Sequence, residues 1–348
     1  MTLPTTTRQF SYSKFGSYNN LVLQEVPLAA PKANEVLVKT HAVSLQFRDL
    51  MIPQGTYPGF LEKNLVPCSD MAGEVIAVGS DVKQWHVGDR VSPNFMLDKL
   101  HEEVSPEILN SALGGAVHGV LTEYRTFPAH SLVKIPAHFS YEEAATLPCA
   151  AVTAYNAMLG GFDPIKAGDT ILVIGTGGVS IFALQFAVAS GATVIAISSS
   201  DEKLKVATKL GAKHVINYKT TPNWDEEVLK LTGGVGVDRV LEVSGNSTLA
   251  RSIGSVRLGG SVDLIGAVGG LTNNPPADFV LLAIFKGIHL RGVYVGSVKQ
   301  YKDMNKLIEA NPEATRPVID KVFAFEEATA AFACLESQAH VGKVVIKF

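Results

Sequence analysis

The sequence predicts an α/β protein in which a barrel-like β domain is joined to a doubly wound parallel sheet of six strands. Three observations support this prediction. Short segments of alternating apolar and polar residues occupy residues 1–130, strand-like and helix-like segments alternate from residue 170, and a glycine-rich turn follows the first of those later strands. Strands separated by helices indicate βαβ units, which form parallel sheets.

The composition is that of a globular protein large enough for two domains, with 348 residues, 47% of them apolar and 18% charged. The formal net charge of −3 offers no basic surface for nucleic acid or an anionic membrane. Three distant cysteines, Cys68, Cys149 and Cys334, form no disulfide framework and suggest a reducing compartment. No segment has the pattern of a signal peptide or an apolar span of about 20 residues, so we expect a cytoplasmic protein.

The first 130 residues have the pattern of a β domain. Residues 21–27 and 35–44 alternate at the strand period, and residues 69–79 combine a strand pattern with small residues. Short strands punctuated by Gly and Pro, without a helical period, favour a barrel. Residues 94–120 are polar and Gly-rich, which predicts mostly loop, and Ser140 with Glu143 is typical of a capping box at a helix start.

Strands and helices alternate regularly after residue 170. The strand candidates are 170–174, 193–197, 214–216, 238–243, 261–265 and 288–293, and helices near 178–190, 201–210, 225–232 and 247–257 separate the first five. Six strands are the full number of a Rossmann, or dinucleotide-binding, domain. A helix at 298–310 and a strand at 342–348 are too short to stand alone. The predicted domains are therefore 1–150 and 151–296, with 297–348 returning to the first.

The glycine-rich turn is Gly175-Thr-Gly-Gly-Val-Ser180, between a predicted strand and a predicted helix. Such a turn presents backbone N–H groups and the positive end of a helix to an anion, usually a pyrophosphate. Gly175 suits the tight turn, Gly177 allows close approach of the phosphates, and Ser180 takes the place of a third glycine. The motif alone is equally compatible with an ordinary βα turn. Its place in a six-strand pattern, with Gly178 and Val179 in the same turn, predicts a dinucleotide site.

The end of the second strand distinguishes the two nicotinamide dinucleotides. NAD-binding domains place an Asp or Glu there to bind the ribose 2′-OH, whereas this chain has Ser198, Ser199 and Ser200. Three hydroxyls with Lys203 nearby favour a 2′-phosphate, which predicts NADP(H). Lys203 is also compatible with a solvated helix position, and the acidic Asp201 counts against the prediction.

Several ordered motifs carry a family resemblance. They are 44–50 (SLQFRDL), 67–73 (PCSDMAG) with Val78-Gly79, 85–91 (WHVGDRV), 144–155 (AATLPCAAVTAY), the Gly175 turn, 210–218 (LGAKHVINY) and 342–346 (GKVVI). Together they resemble the medium-chain dehydrogenase/reductase superfamily over nearly the whole chain. The resemblance implies a GroES-like β domain with the substrate site, a Rossmann domain, and an active site in the cleft between them.

The chain departs from the zinc-dependent members of that family. Those enzymes hold zinc with a Cys, a His and a Cys or Asp, and the matching residues here are Gln46, Ser69 and Cys149. Asp70 is no convincing substitute, because the resemblance places an Asp there in zinc-free members too. Residues 94–118 contain no cysteine for a structural zinc. We therefore predict no metal and a place in the zinc-independent branch, similar to quinone oxidoreductases and enoyl reductases, with Cys149 as a small buried residue.

The resemblance also implies residues for the cofactor. Besides the turn and Ser198–Ser200, they are Thr153, Tyr218, Ser244, Gly245, Gly266, Ala267, Val295, Gly296 and Lys343. Tyr218 is equally compatible with packing at a strand end, and Lys343 with an exposed strand position. Relatives commonly dimerise through the last Rossmann strand, here 288–293, so a homodimer is expected.

The predicted chemistry follows from the missing metal. A zinc ion lowers the pKa of bound water from about 15.7 to roughly 7, whereas one hydrogen-bond donor supplies ~3–4 kcal/mol of oxyanion stabilisation. That favours NADPH-dependent reduction of an activated C=C bond, a quinone or a reactive carbonyl on a small apolar substrate. An NADP-dependent alcohol dehydrogenase and a non-catalytic nucleotide-binding protein stay open as alternatives. Tyr57 and Gln46 are the candidate catalytic residues, although Tyr57 is equally suited to lining the pocket.

Substrate specificity is expected in loops at 55–62, 94–120 and 268–285.

Overall fold

The computed structural model describes residues 3–59, 61–161, 163–269 and 278–348. The chain forms two compact units. Unit 1 contains residues 1–152, 296–310 and 316–348, and unit 2 contains residues 153–295 and 311–315.

The secondary structure follows the chain in three stretches. The first contains β1 (Thr6–Tyr12), β2 (Leu21–Pro27), β3 (Glu35–Ser44), α1 (Arg48–Met51), β4 (Asp70–Val78), β5 (Arg90–Pro93), α2 (Pro106–Leu109), β6 (Tyr124–Pro128), β7 (Leu132–Lys134), α3 (Tyr141–Ala144), a π-helical turn (Leu147–Ala151) and α4 (Val152–Met158). The second contains β8 (Thr170–Ile174), α5 (Gly178–Ala189), β9 (Thr193–Ser198), α6 (Asp201–Lys209), β10 (His214–Asn217), α7 (Trp224–Leu231), β11 (Val237–Glu242), α8 (Asn246–Ser255), β12 (Val256–Leu264), α9 (Phe279–Lys286) and β13 (His289–Gly292). The third contains α10 (Val298–Ala310), β14 (Ile319–Ala324), α11 (Ala328–Glu336) and β15 (Lys343–Lys347).

Unit 1 is built on a mostly antiparallel sheet in the order β14-β15-β3-β4-β5-β7, with β6 also paired to β3. Its strands bury aliphatic side chains such as Val38, Met71 and Val75 in a shared core. This arrangement confirms the GroES-like β domain. The predicted capping box is also confirmed, because the Ser140 hydroxyl accepts a bond from the Glu143 N–H while the Glu143 carboxylate accepts one from the Ser140 N–H.

Unit 2 contains a parallel six-stranded sheet in the order β10-β9-β8-β11-β12-β13, which confirms the predicted Rossmann topology. The central strands β8 and β9 are mostly apolar because both faces of a parallel sheet are covered by helices. One predicted boundary is wrong. β12 begins at Val256 rather than at residue 261, because Val256 pairs with Val237 before a register shift leads to the Arg239–Ser261 pair.

The order reverses between β8 and β11, and in doubly wound sheets ligands bind at the carboxyl ends of the strands near such a reversal. No helix among the described residues is long and apolar enough to cross a membrane.

Candidate functional site

The glycine turn of unit 2 has the geometry of an anion-binding loop. Gly175 adopts a φ of +79°, and α5 begins at Gly178, directly after the turn. A Cβ atom built on Gly177 meets nothing within 4 Å, so its backbone is open to a ligand. The buried Ser180 hydroxyl donates to the Ile174 carbonyl at 2.7 Å and ties the helix to the strand. The turn therefore fits a bound diphosphate, and the serine adds a hydrogen bond where a third glycine offers only close packing.

The carboxyl end of β9 carries the hydroxyls that the sequence singled out. Ser198 is buried, and its carbonyl accepts a bond from the Tyr218 N–H at 3.0 Å. Ser199 and Ser200 are half-buried, and Lys203 lies in the first turn of α6. Two acids, Asp201 and Glu202, lie in the first turn of α6. The Asn217 amide donates to the Asp201 carboxylate at 2.7 Å, and Glu202 pairs with Lys205. The amide bond leaves the charge of Asp201 in place, so this acid still counts against a 2′-phosphate.

Sequence reasoning missed the residue that shapes the loop after β11. Glu242 is fully buried, and its carboxylate accepts bonds from the N–H groups of Ser244 and Gly245 at 2.8 and 3.0 Å, and from two hydroxyls of α8. Gly245 adopts a φ of +92°, and a Cβ there would lie 3.1 Å from the Cα of Ala267. Glu242 thus holds Ser244 and Gly245 next to Ala267, and all three are predicted cofactor residues. A glutamate ending an apolar strand just before Ser-Gly was the available signal.

A second chain segment is held in an unusual conformation next to β13. Val295 has a φ of +52°, which is strained for a β-branched residue. Its carbonyl accepts a bond from the Asn156 amide at 2.5 Å, and the Arg291 guanidinium donates to the Asn156 side-chain oxygen at 2.7 Å. Neighbouring α4 buries the predicted Thr153 in its first turn. A side chain at Gly296, in unit 1, would meet Val152 at 2.4 Å.

In unit 1 the three positions that the family resemblance matches to zinc ligands, Gln46, Ser69 and Cys149, converge on one carboxylate. Asp70 is fully buried at the start of β4. Its Oδ2 accepts a bond from the Gln46 Nε2 at 2.6 Å and one from the Cys149 N–H at 2.9 Å, and its Oδ1 accepts one from the Ser69 hydroxyl at 2.6 Å. Burial raises the pKa of Asp70 to about 6, against the opposing effects of a nearby ammonium and of its hydrogen bonds.

That ammonium belongs to Lys343 on β15. Only 3% of Lys343 is exposed, and its Nζ donates to the carbonyl of Leu45, the residue before Gln46. Burial lowers the pKa of Lys343, whereas Asp70 acts in the opposite direction. The alternative of an exposed strand lysine is therefore wrong. A contact between Lys343 and the cofactor phosphates stays a prediction.

These side chains do not fit a zinc site. Gln46 turns its nitrogen, a hydrogen-bond donor, toward Asp70, and Ser69 supplies only a hydroxyl. Burial raises the pKa of the partly buried Cys149 thiol, whereas zinc requires the thiolate. Within the described ranges, no three His, Cys, Asp or Glu side chains are grouped closely enough to bind a metal ion. A nearby lysine ammonium also opposes a second positive charge.

The other candidate catalytic residue, Tyr57, packs against Arg48, which follows Gln46 by two positions. It is half-buried against Tyr12, Ile52 and Leu65. The Arg48 guanidinium lies 4.7 Å from the centre of its ring, a favourable cation–π distance. Packing on one side and a cation on the other restrict the ring, so its position is defined by unit 1 itself.

The loop between β3 and α1 is held from within. The buried Asp49 carboxylate accepts a bond from the Gln46 N–H at 2.7 Å, and Arg48 donates to the Leu113 carbonyl at 2.8 Å. Both side chains therefore support the loop. Residues 270–277, part of the predicted specificity loop 268–285, lie outside the described residues.

Comparisons with known proteins agree with this architecture. Residues 32–137 match the alcohol dehydrogenase GroES-like domain family, and residues 178–310 match the zinc-binding dehydrogenase family. A zinc-type alcohol dehydrogenase-like protein of Schizosaccharomyces pombe is 47% identical over 90% of each chain. The chain belongs to the medium-chain dehydrogenase/reductase superfamily. It is an oxidoreductase of that superfamily, whose members depend on a nucleotide cofactor.

Other members show how varied this superfamily is. A putative alcohol dehydrogenase from Sinorhizobium meliloti has a TM-score of 0.91 at 36% identity, with both chains covered completely. A quinone oxidoreductase of Lama guanicoe is 28% identical over 97% of each chain. Similar solved structures include one described as an NAD-dependent alcohol dehydrogenase and one complexed with NADPH. Membership alone therefore leaves the substrate and the nucleotide to be argued from this chain's own residues.

Proposed function

We propose that this medium-chain oxidoreductase is a zinc-independent NADPH-dependent reductase. Its substrate is a small apolar molecule with an activated C=C bond, such as an enone, quinone or enoyl compound, or with a reactive carbonyl. The observation that carries the proposal is the bond from Gln46 to Asp70: Gln46, at a position that the resemblance matches to a zinc ligand, donates to a carboxylate instead.

The energetics favour an activated substrate. Without a Lewis acid, the chain offers hydrogen-bond donors, each of which supplies ~3–4 kcal/mol of transition-state stabilisation. A metal ion lowers the pKa of bound water by more than eight units, which is roughly 12 kcal/mol and far more than one donor supplies. An enone or quinone delocalises the charge that develops on its oxygen, so one or two donors suffice.

Bound NADPH supplies the hydride. We propose that the turn from Gly175 to Val179 holds its diphosphate, and that Ser198, Ser199, Ser200, Lys203 and Tyr218 hold the 2′-phosphate. The open backbone at Gly177 and the three hydroxyls at the carboxyl end of β9 support this assignment. Thr153, Ser244, Gly245, Gly266, Ala267, Val295 and Gly296 are proposed to contact the nicotinamide and adenosine halves.

Two side chains of unit 1 are proposed to act on the substrate. Gln46 Nε2 gives one N–H to Asp70 and retains a second, which is available to a substrate carbonyl. The Tyr57 hydroxyl is the second donor and the candidate source of the proton that follows hydride addition. The charged neighbours Arg48 and Asp49 position the loop and take no part in proton transfer.

The test combines cofactor titration with a substrate panel. NADPH should quench the protein fluorescence at lower concentration than NADH, and the purified protein should reduce enones, quinones or aldehydes without bound metal. Tighter binding of NADH would refute the 2′-phosphate assignment. The names of the relatives make NADP⁺-dependent alcohol oxidation the second candidate. NADP⁺-dependent turnover of alcohols, without reduction of enones or quinones, would establish that candidate, and cofactor binding without any turnover would indicate a non-catalytic protein.

We also propose that the protein is a homodimer. β13 is an edge strand of its sheet, and the neighbouring α9 leaves Val280, Leu281, Ile284 and Phe285 more than half exposed. A Phe285→Asp variant should sediment as a monomer, whereas Val235→Asp, which changes an exposed apolar residue elsewhere in unit 2, should not alter the mass. Equal sedimentation of Phe285→Asp and the unmodified protein would contradict this interface.

A further inference from the structure

The Gln46 residue is fixed from three directions. Its N–H donates to Asp49 at 2.7 Å, its side-chain Nε2 donates to Asp70 at 2.6 Å, and the preceding carbonyl of Leu45 accepts a bond from Lys343. The partners come from α1, β4 and β15. A surface glutamine needs none of these restraints, so their convergence indicates that the orientation of this amide matters.

Orienting an amide with a buried carboxylate costs folding stability. Asp70 is fully buried, and a buried carboxylate without compensation is strongly destabilising. Three hydrogen bonds satisfy it, from Gln46, Ser69 and Cys149, and Lys343 supplies a buried positive charge. An ionised carboxylate only accepts hydrogen bonds, so Gln46 must turn its nitrogen, not its oxygen, toward Asp70.

We propose that Asp70 is a positioning residue that fixes the orientation of the Gln46 amide. The inference rests on the proposed function, in which Gln46 contacts the substrate. With Nε2 held by a carboxylate, the remaining N–H and the Oε1 of Gln46 point in defined directions. Protonation of Asp70 would remove that constraint.

Several titratable groups face this carboxylate from the elements packed around it. They are Lys343 from β15, Asp49 from α1, Cys149 from the π-helical turn, Cys68 before β4 and Tyr301 from α10. Burial raises the pKa of both thiols and of the tyrosine, so these three groups stay neutral near pH 7. Lys343 therefore balances Asp70, while Asp49 opposes its ionisation.

A double-mutant cycle separates positioning from ordinary structural support. Asp70→Asn and Gln46→Met should each lower kcat/KM for the preferred acceptor by ~10–100-fold, with the NADPH Kd unchanged. The double variant should be no worse than the poorer single variant, because Asp70 acts through Gln46. Losses that multiply would overturn the proposal. Glu74→Gln removes a carboxylate from the same strand, outside the cluster, and should leave kcat/KM unchanged.

A second measurement needs no substrate. In ¹⁵N-labelled protein, the side-chain amide protons of Gln46 are assigned by their absence from Gln46→Met. The proton bonded to Asp70 should resonate downfield in the unmodified protein and move upfield in Asp70→Asn. An unchanged resonance would overturn the positioning role even if activity falls. If no acceptor is ever turned over, the proposed function fails while this measurement still decides the role of Asp70.

Discussion

Replacing Ser200 by aspartate should convert the protein from NADPH to NADH preference. Ser200 is half-buried at the carboxyl end of β9 and directly precedes α6. An aspartate there would lie where NAD-binding Rossmann domains carry the acid that binds the ribose 2′-OH. The same carboxylate would repel a 2′-phosphate.

The magnitude follows from the charges and the position. A carboxylate ~5 Å from a doubly charged phosphate in a well-hydrated site costs about 2 kcal/mol. This corresponds to a roughly 30-fold weaker Kd for NADPH. Folding should not suffer. Ser200 has the extended backbone of an N-cap residue (φ −142°, ψ 127°) but makes no capping bond, so an aspartate that caps α6 should add ~0.5–1 kcal/mol.

Fluorescence titration with both cofactors provides the assay, and thermal unfolding checks the fold. The NADPH-to-NADH Kd ratio should rise by ~30-fold or more, with the unfolding midpoint unchanged or higher. Thr208→Asp, on the same helix about 12 Å further along its axis, controls for net charge. Equal weakening of both cofactors, or unaltered NADPH binding, would show that Ser200 does not face the 2′-phosphate.

Three further predictions test the phosphate turn, the packing of unit 2 and the buried carboxylate. Gly177 has an ordinary φ of −75° and open space around its Cα, so Gly177→Ala should leave the unfolding midpoint unchanged. The added methyl group should weaken the binding of NADPH and NADH by ~10-fold or more, as measured by titration. Unchanged binding would place the phosphates elsewhere. Lys286→Met removes three hydrogen bonds, of 2.6–2.8 Å, from Nζ to the carbonyls at the end of α8. It should lower the free energy of unfolding in urea by about 2–3 kcal/mol, whereas exposed Lys209→Met should change it little. Equal effects of the two variants would contradict the capping role. Burial raises the pKa of Asp70 to about 6, so this group binds its proton more readily in the folded state. Its contribution to the free energy of unfolding is therefore largest below pH ~4 and is lost as the pH rises through about 6, by at most about 3 kcal/mol. Urea unfolding across this range should show that slope in the unmodified protein relative to Asp70→Asn, and parallel curves would refute it.

Much of the fold was predictable because it depends on neighbouring residues. Residues 170–174 predict β8 to the residue, and the same alternation predicted all six strands of the parallel sheet. The Ser140 capping box is equally local, since both partners lie within one turn. The start of β12 was missed because it depends on pairing with Val237, a contact that no short window of sequence contains.

The candidate site was also predictable only in part. Residue types predicted the glycine turn and the serines at the end of β9, and the family resemblance placed Gln46 and Ser69 at the positions of zinc ligands. The sequence also brought Asp70 to notice, but only as a weak substitute ligand. That Asp70 gathers Gln46, Ser69 and Cys149, and that Glu242 anchors the Ser244–Gly245 loop, became evident from the folded chain.

By itself, then, the sequence determined which elements form, which family they belong to and which side chains are too weak to bind zinc. These properties follow from local periodicity and from the chemistry of single residues. The tertiary structure decided which charges are buried together. Lys343 lies about 300 positions from Leu45, and the two meet because β15 pairs with β3. Burial and electrostatic partners arise from such distant pairings, which is why the environment of Gln46 required the fold.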